Sequence, residues 1–175
     1  MRLLQTIVGI IGNSLVIVII TKNKTLQTPA NFILISLAAS DIISNLYAPF
    51  LLILDQLKIH QLLSGWIVLC HCTLVIAKYG ANVNLFSVML SAIDRFISIK
   101  FAVSYRLKMT NNKMIITIVV MWLVMSAKVI MEQISGATVT AEVRCLLEDV
   151  MDPTQLKLGT AYTFIIPSII TTSLY

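Results

Sequence analysis

Long apolar stretches separated by short polar ones set the pattern of this chain. Five stand out, at about Leu3–Ile20, Ala30–Leu54, Ile67–Ile99, Met114–Met131 and Leu158–Tyr175. Roughly 20 residues of helix cross a hydrocarbon core, so each stretch is long enough, the first and last only just. A membrane barrel would show shorter, alternating segments, and backbone groups in lipid need partners within the chain, which a helix supplies. The pattern predicts an all-α membrane protein whose five transmembrane helices form one domain over residues 1–175.

Composition agrees and charge adds a direction. The chain is 58% hydrophobic and 12% charged with a mean hydropathy of +0.91, outside the range of an ordinary soluble domain. Lys22 and Lys24 follow the first span, and Lys100, Arg106, Lys108 and Lys113 follow the third. The other side carries Arg2, Lys58, Arg144 and Lys157, together with Asp55, Glu132, Glu142, Glu148, Asp149 and Asp152. Lysine and arginine accumulate on the cytoplasmic side of short loops. This places the N-terminus of a multi-pass membrane protein outside and its 100–113 loop inside. The net charge of +5 then belongs to the inner leaflet and not to a nucleic acid, because no basic stripe is interleaved with aromatics. A signal-peptide reading of the first span is opposed by its length, by the charged stop Thr21-Lys22-Asn23-Lys24, and by the lack of a small-residue cleavage pattern.

Polar residues inside the spans carry the chemistry. Asp41 lies in the middle of the second span, where a carboxylate must face the bundle interior, be neutralised or bind a cation. Asn13 in the first span and Asn84 in the third are the other deep polar groups. Their amides would either join Asp41 in a hydrogen-bonded or cation-binding cluster or serve as glue between helices. Lys128 lies near the outer end of the fourth span, and its ammonium is expected to snorkel to the interface. Lys78 lies about 12 Å down the third span from Cys70. It would snorkel, pair with an acid such as Glu132, or meet an anionic ligand group. Pro49 and Pro167 interrupt the second and fifth spans.

Cys70 and Cys145 both fall on the outer, oxidising side, which makes a disulfide between them plausible; Cys72 is a competitor that points about 200° away around the helix. At the opposite end of the third span, Asp94-Arg95-Phe96 sets an acid beside an arginine just before the basic loop. Such a pair, where lipid gives way to water, has the makings of a latch.

Taken in order, these residues resemble the rhodopsin-like (class A) family of G-protein-coupled receptors. Gly12-Asn13 matches the asparagine pattern of the family's first helix, and Leu37-Ala38-Ala39-Ser40-Asp41 the Leu-Ala-x-x-Asp of its second. Thr28-Pro29-Ala30-Asn31-Phe32 looks like the usual lead-in to that second helix. Trp66 resembles the tryptophan of the first outer loop, Cys70 and Cys145 the bridging pair, and Asp94-Arg95-Phe96 the Asp-Arg-Tyr motif. Tyr105-Arg106 and Met109-Thr110 are similar to the second inner loop, Trp122 to the fourth helix's tryptophan, and Pro167 and Tyr175 to the fifth helix's proline and tyrosine. The match covers essentially the whole chain, and its strength lies in the order and spacing of many weak motifs.

The resemblance implies roles. Asp41 would centre a sodium pocket, with Asn84 standing where many relatives have serine. Arg95 would be held by Asp94 at rest and released to meet a heterotrimeric G protein, with Tyr175 supporting it in the active state. Leu74, Ala77, Lys78 and Ala81, with Gly159, Thr160 and Thr163, would line a pocket for an extracellular ligand. Ala77 occupies the position where amine receptors carry their counter-ion aspartate, so the ligand is expected not to be a biogenic amine. Phe96 replaces the motif's tyrosine, Ala102 stands where the second inner loop usually has proline, and Trp66 is only four residues from Cys70. The family's sixth- and seventh-helix motifs are missing, so the resemblance implies a partial receptor or fragment. An alternative is a truncated, non-signalling protein that associates with full-length receptors. A transporter using Asp41 as a coupling-ion site would show repeats or matched broken helices, and neither is visible. No histidine or serine falls into a metal-ligand or triad pattern, so no enzyme is expected.

Overall fold

A computed structural model of the chain describes residues 2–56, 66–136 and 165–174. Six α-helices occupy them: α1 (Arg2–Lys22), α2 (Pro29–Gln56), α3 (Trp66–Lys100), α4 (Ala102–Lys108), α5 (Asn111–Gly136) and α6 (Ile166–Leu174). A 3₁₀ turn over Lys24–Leu26 joins α1 to α2. Leu4–Lys22, Pro29–Leu46 and Asn111–Glu132 are long and apolar enough to cross a membrane. α3, at 35 residues, has the length as well.

Local chemistry fixes the helix starts. Thr28 precedes Pro29 at the head of α2, and its hydroxyl accepts the Asn31 N–H at 3.4 Å. Proline suits the first helical position because its missing N–H would have had no partner there. Thr110 does the same before α5, its hydroxyl accepting the Lys113 N–H at 3.4 Å. The helix α2 continues through Pro49, which has no backbone N–H to donate to the Asn45 carbonyl. Pro167 falls in the first turn of α6; the first half of the fifth span lies outside the described residues. The sequence pattern leaves 100–113 as a loop, whereas the structure forms the two-turn α4 within it. Arg106 and Lys108 in its last turn suit the negative end of the helix dipole.

The chain is apolar outside and partly polar inside. Large aliphatic side chains of α1 and α5 are exposed, among them Leu4, Val8, Ile11, Ile116 and Leu123. The buried set mixes Ile33, Ala38, Val83, Ala92, Met114, Met125 and Val129 with Ser36, Ser40, Thr73, Asn82, Ser87 and Asp94. In lipid, burying leucine gains nothing over leaving it in the acyl chains, so small and hydrogen-bonding residues take the helix interfaces instead. α3 packs on α2, α4, α5 and α6, and α2 packs on α1, α3 and α5.

Two features set the spacing of α2, α3 and α5. An added Cβ at Gly80 would stand 2.6 Å from Ser44 Oγ and 2.9 Å from Ser44 N, so the bare glycine lets α3 lie against the α2 backbone. On the other flank, Trp122 Nε1 of α5 donates to Ser36 Oγ of α2 at 2.9 Å, and Ser36 Oγ lies 3.0 Å from Ser87 Oγ of α3. The Tyr79 and Trp122 rings meet edge to face at 5.9 Å.

Candidate functional site

Three polar clusters lie along α3, each built with a different neighbour. The first is on the α2 side. Gly80 and Asn84 are one turn apart on α3, as are Asp41 and Ser44 on α2, so the close approach at Gly80 sets Asn84 beside Asp41. Asn84 Nδ2 donates to Asp41 Oδ1, and Asn13 Nδ2 of α1 reaches Asp41 Oδ2 at 3.5 Å. One carboxylate thereby joins three helices, with an amide on each oxygen. A carboxylate and two carboxamides suit a hard monovalent cation in kind, since all three offer oxygen. As arranged, the amide nitrogens face Asp41, so each amide must turn before its oxygen points to the same place.

The second cluster closes the other end of α3. Asp94 is 5% exposed and accepts the Tyr105 hydroxyl of α4 at 2.6 Å. Burial first, and then the hydrogen bond to Asp94 and its negative charge, push the Tyr105 phenol well above the usual tyrosine range. Successive residues on a helix are about 100° apart, so with Asp94 inward Arg95 turns outward and is exposed. Among the described residues the ion pairs are Lys78–Glu132 and Lys128–Glu132, and Asp94–Arg95 is not one of them. The expectation that Asp94 holds Arg95 gives way to a bond between Asp94 and Tyr105. Phe96 lies under the Lys100 ammonium, which stands 5.2 Å from its ring centre.

The third cluster lies between α3 and α5, toward the opposite end from Asp94. Lys78 Nζ meets Glu132 Oε2 at 2.6 Å, and Lys128 Nζ lies 3.5 Å from Glu132 Oε1 and donates to Asn82 Oδ1 at 3.1 Å. Lys128 was expected to snorkel outward; instead Glu132, one turn along the same helix, and Asn82 draw its ammonium to the α3 side. Ionic groups within spans gain by pairing with one another where lipid offers no solvation.

The remaining candidates divide. Leu74, Ala77, Lys78 and Ala81 share one stripe of α3 by their spacing, with Lys78 at its α5 edge. Ala77 and Ala81 are half-buried. Cys70 lies on α3, one turn after Trp66. Cys145, Gly159, Thr160, Thr163 and Tyr175 lie outside the described residues, and with them the expected disulfide and half of the expected pocket. Cys72 is exposed with a free thiol.

The architecture, with polar clusters strung along a central third helix, can be set against known proteins. The family model "7 transmembrane receptor (rhodopsin family)" matches residues 12–175. The chain belongs to this family. Similar members include an alpha-2Db adrenergic receptor of Danio rerio, 34% identical over 67% of this chain and 28% of its own length. A rhodopsin of Alloteuthis subulata is 35% identical over 67% of this chain and 26% of its own length. The muscarinic acetylcholine receptor M3 of Rattus norvegicus is 28% identical over 97% of this chain and 29% of its own length. The chain therefore spans a little over a quarter of the length of these relatives. Within the family frame it is a receptor-type membrane protein, and Asp41, Asp94 and Arg95 fall inside the matched region.

Tyr105, Gly80 and Asn82 are residues of these clusters that sequence reasoning missed. Tyr105 is visible in sequence only as part of a loop motif, because the break between α3 and α4 destroys any helical phase linking it to Asp94. A glycine in the middle of an otherwise apolar span is a signal that Gly80 did carry.

Proposed function

We propose that this chain is part of a plasma-membrane receptor that passes an extracellular signal to a heterotrimeric G protein, with its N-terminal end outside. The observation that carries the reading is the Asp41 junction. A single carboxylate ties α1, α2 and α3 through Asn13 and Asn84, so a change of its partners changes how three helices pack. A ligand that favours one packing then shifts the population at the far ends of the same helices. Asp41, Asn13 and Asn84 would hold a sodium ion, which supplies a fixed positive charge that stabilises one packing of the bundle. Arg95, exposed beside a buried Asp94, is the group placed to meet the G protein, with Phe96 packing beside it; Pro167 and Tyr175 of the fifth span would complete that switch.

The ligand is proposed not to be a biogenic amine. Two of the relatives are named for adrenergic and muscarinic acetylcholine recognition, but Ala77 gives a protonated amine no anion, and Glu132 is already engaged by two ammonium groups. The stripe of Leu74, Ala77 and Ala81, edged by Lys78, suits a peptide or a ligand with an anionic group. Gly159, Thr160 and Thr163 would face it from the fifth span, with Cys70 and Cys145 bridged above.

The test is guanine-nucleotide exchange on a panel of purified heterotrimers by membranes carrying this receptor. Exchange is expected above that of empty membranes, to be lost in Arg95→Ala, and to be suppressed by sodium in the wild type but not in Asp41→Asn. Exchange no greater than that of empty membranes with every heterotrimer would overturn the coupling. Equal sodium suppression in Asp41→Asn would overturn the cation role alone.

A further inference from the structure

A groove of about 710 Å³ lies where the end of α3, α4 and the start of α5 meet. Its floor is apolar, with Ile97, Phe101, Met109 and Ile116, and its rim carries Lys108 and Lys113. No aspartate or glutamate lines it. We propose that this groove binds one anionic phospholipid of the adjacent leaflet, its acyl chain along the floor and its phosphate between the two lysines.

Charge complementarity selects the occupant. Lys113 Nζ donates to the Lys108 carbonyl at 2.9 Å, which fixes the ammonium at the rim and leaves two of its three N–H donors for a ligand. The Lys100 ammonium stands 5.7 Å from the Phe101 ring centre, adding a third cation beside the groove wall. Phe101 and Ile116 are 52% and 62% exposed, so the floor is open to acyl chains rather than sealed. Basic pockets between membrane helices on the cytoplasmic side are suited to lipid headgroups, because that leaflet is the anionic one. The groove also touches the second cluster described above. Tyr105 lines it while its hydroxyl holds Asp94, so an occupant presses on the residue that closes over Asp94 beside Arg95. The side assignment rests on the topology proposed above, whereas headgroup selectivity rests on the groove alone.

The test is native mass spectrometry of the 175-residue chain in detergent with an equimolar mixture of phosphatidylglycerol and phosphatidylcholine of the same acyl composition. The wild type is expected to retain phosphatidylglycerol preferentially, and Lys108→Gln and Lys113→Gln each to weaken that preference about fivefold. Lys22→Gln/Lys24→Gln, which removes twice the charge of either variant but elsewhere, is expected to leave it unchanged. Filling the floor with Ile116→Trp, at unchanged circular-dichroism helicity, is expected to lower retention of both lipids. Equal retention of the two lipids by the wild type would overturn the proposal. So would an unaltered preference in the Lys108 and Lys113 variants, or an equal loss in the Lys22/Lys24 control. None of these readouts involves a G protein, so failure here and failure of the receptor reading are separate results.

Discussion

At the scale of single residues, the sharpest contrast lies between Asp41 and Asp94. The depth of Asp41 in its span made it legible in the sequence as a carboxylate needing partners, and the two amides singled out with it, Asn13 and Asn84, are the ones beside it. Asp94 was legible as half of a charge pair, but its partner was not. The phenol of Tyr105 provides a prediction with a definite sign. Its folded-state pKa lies above the ordinary tyrosine value, so the neutral hydroxyl is the form the fold favours. That contribution is complete below about pH 10 and is lost only as pH rises through the folded-state value. In an ultraviolet titration, the phenolate absorbance gained between about pH 9 and 11 should therefore be the same in the wild type and in Tyr105→Phe. Loss of one tyrosine's amplitude in that window would show that the phenol is not held neutral by Asp94. Lys128 teaches the converse. Its place near the outer end of its span suggested snorkelling, while Glu132 at i+4 was visible in the sequence and is the partner it takes.

At the scale of elements, length and hydropathy located α1, α2, α3 and α5 because lipid imposes one simple rule on every residue of a span. That rule stops at the interface. α4 is short and held by the Tyr105 bond, so no apolar run announces it. Helix contact distance was equally invisible, since it depends on which face a small residue presents. Gly80→Ala tests the α2–α3 contact. The new methyl would meet the Ser44 backbone nitrogen at 2.9 Å, which cannot rotate away, so a loss of about 1–3 kcal/mol is expected. The measurement is the melting temperature in detergent, and Ser44→Gly should restore only the part due to its hydroxyl. A melting temperature that does not fall would mean that the two helices are free to separate.

At the scale of the whole molecule, the charge distribution along the chain makes a prediction that no single helix can make. With the N-terminus outside, the end bearing Lys22, Lys24, Lys100, Arg106, Lys108 and Lys113 faces the cytoplasm. In a background carrying Cys72→Ser, a membrane-impermeant maleimide should label K157C on intact cells and K108C only after permeabilisation. The reverse pattern would invert the topology and with it the assignment of Arg95 to the G-protein side. One feature of the packing has a practical use. Trp122 is one of two tryptophans in the chain, and its indole N–H rests on the Ser36 hydroxyl while its ring meets Tyr79. Indole fluorescence is sensitive to both kinds of neighbour. With Trp66→Phe as background, the purified molecule carries an intrinsic optical gauge of the α2–α5 seam, readable without attaching a dye.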